Sequence, residues 1–275
     1  MTNRFNKLEL EPVQQQQHEQ QPFARTAPTT TAASLGTTQL DELHDASHWM
    51  RLADQSRRCG AFEDALRYYS RAVELDRQMV GGWVGQVRML IALEEYTEAE
   101  LWARKALELF RNNAELHAAR AQALCRNGDF KNAQAACDAA IGQPGQSAYP
   151  WMSRGDLMLA RRDAVAEHCF DKAIQLDPDW IILIEVAAIY MYYRRHAKAL
   201  GRCAAAVERA PDQAYAWYQQ GRCQMFTGLS KSARLSFKQC LDLEPKHHGA
   251  RAALKEMEHG DGIFKRAVRR VFGRG

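Results

Sequence analysis

The sequence predicts an all-α solenoid of six helix–turn–helix repeats with a C-terminal capping helix, and three observations carry that prediction. Alanine recurs at Ala65, Ala99, Ala133, Ala166, Ala199 and Ala233, in steps of 33 or 34 residues. Tryptophan keeps the same beat upstream at Trp49, Trp83, Trp151 and Trp217, drifting by one residue in the fourth repeat. Pro178, Pro211 and Pro245 punctuate the later repeats. Self-similarity at this period marks an architecture that stacks one supersecondary unit on the next and has no single central core.

The repeats are taken in order. In the first, Trp49, Leu52, Ala53 and Ser56 share one helical face at spacings of three and four, and Ala65, Tyr69 and Ala72 share a face on a second helix. Gly60 lies between them, where a reversing chain needs a residue tolerant of positive φ. Alanine on the second helix leaves room for a close crossing. Repeat two has Trp83, Leu90, Tyr96, Ala99 and Ala106, with Arg111 where later repeats place proline. Repeat three replaces the tryptophan by His117 but keeps Ala121, Gly128, Phe130, Ala133 and Ala140. Repeat four keeps Trp151, Gly155, Ala166, Phe170, Ala173 and Pro178. Repeat five is the least regular, with Ala199, Ala206 and Pro211 retained and Arg194 in place of the turn glycine. Repeat six has Trp217, Gly221, Gly228, Ala233, Phe237 and Pro245. Each proline lacks the amide hydrogen and stops its helix before the next repeat begins. Within residues 246–260, residues 249–259 read as a more polar helix with Leu254 and Met257 as its larger apolar side chains, a cap over the last stacking face.

The flanks differ from the repeats. Residues 1–40 are rich in Gln, Thr and Pro and cannot bury enough apolar surface to offset the entropy of ordering, so a disordered arm is expected. Its apolar stretch from Phe5 to Leu10 is read as an inert leader in preference to a docking motif. At the other end, residues 261–275 carry Lys265, Arg266, Arg269, Arg270 and Arg274 against Asp261, which accounts for the whole net charge of +4. Apolar pairs at 263/264, 267/268 and 271/272 alternate with the basic pairs, so Phe264, Val268, Val271 and Phe272 fall on one face of a basic amphipathic helix. Contact with an anionic membrane surface is the expected role; docking on the last repeat, or contact with RNA or an acidic protein, stays open.

Composition removes several function classes. The body is electrically neutral, without the basic stripe of a nucleic-acid-binding solenoid. No apolar run approaches the roughly 18 residues of a membrane span, and the first residues lack a secretory apolar stretch, so a cytoplasmic protein is expected. The seven cysteines form no CxxC pair and read as small buried hydrophobes, with Cys240 standing where other repeats place alanine. There is no glycine-rich phosphate loop, HExxH or GxSxG. His247 and His248 read as a solvated pair beside the cap, and His168 and Cys169 diverge by about 100° as helix neighbours. Neither an enzyme nor a cofactor or metal is expected.

Over residues 46–245 the Trp, Gly, Tyr, Ala, Phe and Pro positions resemble the tetratricopeptide repeat. The resemblance implies a right-handed solenoid in which the first helix of each pair lines a concave, partner-binding groove. It places in that groove the residues one and five positions after the tryptophan: Met50 and Asp54, Val84 and Arg88, Ala118 and Gln122, Met152 and Asp156, Tyr218 and Arg222. Leu159, Tyr192, Tyr215 and Met225 join them. The resulting groove is polar or mixed in its N-terminal half and rich in tyrosine and methionine in its C-terminal half, a surface suited to a partner's apolar side chains. Some members grip the C-terminal carboxylates of heat-shock chaperones with lysines and asparagines; here those positions hold Met50, Asp54, Gly85, Glu115 and Ala119, which disfavours that mode. The expectation is a non-enzymatic adaptor that holds a protein segment in its groove and is recruited to anionic membrane by its tail. The alternative is a cytoplasmic chaperone shielding an apolar export or assembly substrate, and an RNA-associated factor is disfavoured.

Overall fold

The computed structural model describes residues 45–145 and 147–258. Within them lie thirteen helices and no strand. Six helical hairpins follow one another: α1 (Ala46–Arg58) with α2 (Phe62–Leu75), α3 (Val80–Ala92) with α4 (Tyr96–Leu109), α5 (Ala114–Arg126) with α6 (Phe130–Ile141), α7 (Ala148–Ala160) with α8 (Val165–Leu176), α9 (Trp180–Tyr192) with α10 (His196–Arg209), and α11 (Ala214–Phe226) with α12 (Ser230–Leu243). A single helix, α13 (His248–Glu258), closes the stack.

Helix ends follow local chemistry. Asp45, Asn113, Asp129 and Asp179 cap α1, α5, α6 and α9, each side chain accepting a backbone N–H of the first turn at 2.8–3.1 Å. Helices α8, α10 and α12 stop at Leu176, Arg209 and Leu243, each two residues before a proline. All six hairpin turns close in the same way, an N–H reaching back five residues, as from Ala61 to Ser56 at 2.9 Å and from Leu229 to Gln224 at 2.8 Å. The residue before that N–H has positive φ: Gly60, Gly128 and Gly228 in repeats one, three and six, but Glu94, Arg162 and Arg194 in the others. The missing glycine of repeat five therefore leaves the turn intact. The side chain at such a position costs about 1–2 kcal/mol, which the surrounding packing absorbs.

Packing explains the periodic residues. The six alanines of the period lie buried where the two helices of a hairpin cross. Gly155 and Gly221 face Phe170 and Phe237 so closely that a Cβ would fall 2.5 and 2.6 Å from the ring. One apolar core runs from α1 to α11, and a smaller cluster of Ala233, Phe237, Cys240 and Ala250, flanked by Leu254 and Met257, seals α12 under α13. All seven cysteines are free, and six of them are buried. Helix α9 is apolar on nearly every side, with Glu185 as its one charged residue, the signature of a helix surrounded by protein. It is surrounded because the solenoid curls on itself.

Candidate functional site

The first helices of the hairpins face the inside of the curl, and their side chains meet across it. Asp156 on α7 is fully buried. Its Oδ1 accepts the Tyr193 hydroxyl at 2.7 Å, and its Oδ2 accepts Gln122 Nε2 at 2.8 Å and Arg126 Nε and Nη2 at 3.0 and 2.7 Å. Four donors around one carboxylate offset the cost of burying it. Tyr149 donates to Gln122 Oε1 at 2.8 Å and carries the Arg88 guanidinium over its ring, 4.2 Å from the centroid. Arg88 Nη2 in turn donates to Glu185 Oε2 at 2.6 Å, and Arg57 Nη1 to Glu185 Oε1 at 2.5 Å. Repeats one to five are thus joined through side chains on the inner face.

Repeat one also closes on the far end of the array. Arg58 forms a two-pronged pair with Asp179 at 2.7 and 3.1 Å and sits 5.0 Å from the centroid of the Trp180 ring. Phe62 meets Tyr215 edge to face at 6.4 Å, and Gly60 lies so near the Tyr215 ring that no Cβ fits between them. A solenoid repeat ordinarily touches only its neighbours. Here repeat one touches repeats five and six.

The electrostatics keep the two arginines of this interior charged. Burial alone would lower the Arg88 and Arg126 guanidinium values, yet Glu185 and Asp156 outweigh it and raise them. Burial raises the phenols of Tyr149 and Tyr193, and it pushes the Cys125 and Cys137 thiols up to about 12. None of these shifts brings a group toward neutral pH. Among the described residues, no cluster of three His, Cys, Asp or Glu side chains could hold a metal ion.

The residues expected to line the groove divide into three sets. Arg88, Gln122 and Asp156 are brought together, inside the network. Met152, Leu159 and Tyr215 are buried, and Met50 packs over Gly81 and Gly82 of the next repeat. Gln122, Met152, Asp156, Leu159 and Tyr215 therefore do not form an open surface in this closed form. The expectation was an open concave groove, whereas the curl that brings repeat one to repeats five and six turns the concave face of the middle repeats into interior. Tyr218 is half-buried between Phe237 and His247, at 6.0 and 4.5 Å. His247 is likewise half-buried and not solvated: its Nδ1 accepts the Ala250 N–H at 3.1 Å, and burial lowers its pKa.

What stays accessible lies at the two ends of the array. Asp54 is exposed and accepts the Tyr69 hydroxyl at 2.5 Å. Tyr192 is 44% exposed, with the Arg126 guanidinium 3.6 Å from its ring centroid and Tyr96 edge-on at 6.5 Å. Arg222 and Met225 on α11 are half-exposed, next to Phe226, which stacks on His196 at 4.9 Å. The tail residues Phe264, Lys265, Arg266, Val268, Arg269, Arg270 and Phe272 lie outside the described residues, as does the arm.

Sequence reasoning missed Arg57, Arg126, Tyr149 and Glu185. The arginines sit at the ends of first helices, beyond the positions the repeat pattern marks as groove-lining. Glu185 did leave a signal, a lone charge in the apolar run Trp180–Tyr192. A single acid in such a run needs a buried partner.

Residues 50–114 and 214–247 match models of the tetratricopeptide repeat. No curated protein matches the chain. Among solved structures, the thermophilic TPR protein TTC0263 of Thermus thermophilus is 18% identical, with a TM-score of 0.51 over 66% of this chain and 99% of that one. The TPR protein YrrB is 19% identical over 68% of this chain and 97% of its own, with a TM-score of 0.39. Repeat models match near both ends of the array and the same hairpin geometry runs through all six pairs of helices, so the chain carries tetratricopeptide repeats.

Proposed function

We propose that the protein is a non-catalytic adaptor that captures a segment of a protein partner on the concave face of repeats five and six. One observation carries this reading: the accessible part of the expected groove is aromatic and methionine-bearing, with Tyr192 exposed beneath Arg126 and with Arg222 and Met225 half-exposed on α11. Tyrosine and arginine dominate binding hot spots, and methionine adapts its packing to varied side chains. The basic amphipathic tail adds a second contact, with anionic lipid, that places the adaptor at a membrane surface. No helix among the described residues is long and apolar enough to cross a membrane.

Affinity capture with cross-linking, comparing the wild-type chain with Tyr192→Ser/Met225→Ser, tests the reading. The double variant is expected to lose the cross-linked partner while keeping native helicity and monodispersity, because Tyr192 is exposed and Met225 is only partly buried, at the edge of the Ala233–Phe237–Cys240 cluster. Retained capture ends the proposal for this face. The same complex, spun with anionic liposomes at low salt, is expected in the pellet; recovery in the supernatant ends the membrane half.

A further inference from the structure

Two arginines from different repeats, Arg57 on α1 and Arg88 on α3, converge on one carboxylate, each taking one oxygen of Glu185. The three side chains remain 15%, 18% and 21% exposed, so water reaches the junction. Glu185 is separated from them in sequence by 128 and 97 residues. Among the described residues no backbone hydrogen bond crosses from α1 to α9. The junction is therefore made by side chains alone. Its floor is Tyr149 under Arg88, and its charged neighbours are Asp54, 3.9 Å from Arg57 Nε, and Glu115, whose field reaches Arg88.

We infer that Arg57 and Arg88 form a carboxylate-binding site on the concave face, which the chain's own Glu185 occupies in the closed ring and an acidic segment of a protein partner takes over. Two guanidiniums held by separate elements match the two oxygens of a carboxylate, which is the chemistry for which arginine is suited. The occupant already present is a carboxylate, so the structure displays the ligand class. None of the positions of the family's chaperone clamp donates to the carboxylate. When Glu185 leaves, repeat one loses its Arg57 contact and repeat two its Arg88 contact with repeat five, so binding of the acidic segment loosens the ring and opens the buried interior beside it. This rests on the concave face being the binding face and adds to it the charge of the partner and an internal competitor.

The test uses the full chain and fluorescein-labelled hexaglutamate, read by fluorescence anisotropy at low ionic strength. A defined peptide separates this question from capture through Tyr192 and Met225, which can fail independently. Glu185→Gln keeps the side-chain shape and removes the competing charge; it is expected to bind the peptide at least tenfold more tightly than wild type. Adding Arg57→Gln or Arg88→Gln is expected to abolish the gain. Equal affinity of wild type and Glu185→Gln at native helicity overturns the inference, as does a gain that survives loss of both arginines. Equally tight binding of a uridine hexanucleotide marks a general polyanion surface and also overturns it. Where Glu185→Gln does not fold, the wild-type chain decides: saturating hexaglutamate must speed hydrogen exchange in α1, and unchanged exchange there overturns the inference.

Discussion

Repeats one and four carry aspartate at the same place in the repeat, five residues after the tryptophan, and the two residues have opposite fates. The Asp54 side chain is 54% exposed; that of Asp156 is completely buried. Asp54 accepts one phenol, from Tyr69 of its own hairpin. Asp156 gathers Gln122 and Arg126 from the preceding repeat and Tyr193 from the following one. Identical register thus yields a surface group at the end of the array and a core group in its middle. At this inner-face position, place in the array decides whether the side chain is core.

The largest effect comes from removing the two carboxylates in turn. Asp156→Ala leaves Arg126 nearly buried without its partner and is expected to cost about 3–5 kcal/mol, the usual penalty for stranding a buried charge. Asp54→Ala is expected to cost about 1 kcal/mol or less, since its charge is screened by water. Urea unfolding of both variants checks this, and equal losses would break the distinction between end and middle.

A second comparison sets Gly60 against Gly128, which occupy the same turn position with φ of 76° and 83°. Nothing lies within 4 Å of a Cβ at Gly128, so Gly128→Ala is expected to cost only the backbone strain, about 1–2 kcal/mol. Gly60→Ala carries that strain and also drives a methyl into the Tyr215 ring, which is relieved by displacing that ring or by parting repeat one from repeat six. Small-angle scattering should therefore show a larger radius of gyration for Gly60→Ala and an unchanged one for Gly128→Ala. Identical dimensions would show that the closure tolerates the methyl.

The smallest effect is on pH dependence. Burial alone would raise the Asp179 carboxyl, but the Arg58 guanidinium and the Ile181 N–H hold it below its ordinary value. A carboxyl depressed on folding contributes stability that is complete above its unfolded value, about pH 4, and is lost as the pH falls through the lower folded value. Stability curves of wild type and Arg58→Gln are accordingly expected to differ above about pH 4 and to converge below it. Parallel curves down to pH 2 would mean that the Arg58–Asp179 pair contributes nothing to closure.

Much of the fold was legible along the chain because it depends on neighbours. The 33–34-residue period follows from Ala65 and its counterparts, each buried against its own hairpin partner. The stops before Pro178, Pro211 and Pro245 are local sterics, and Gly60, Gly128 and Gly228 mark turns whose geometry survives even where Arg194 replaces glycine. The site was legible only in part. Tyr192, Arg222 and Met225 keep accessible surface, as a groove would require, but nothing near Asp156 or Tyr215 in sequence indicates that Arg126 or Phe62 will cover them. Those meetings depend on the curl of the whole array, the sum of small rotations from each repeat to the next. No single residue encodes that sum. Contacts within a hairpin are set by spacings of three and four, whereas contacts between repeats one and five appear only once every rotation between them has accumulated.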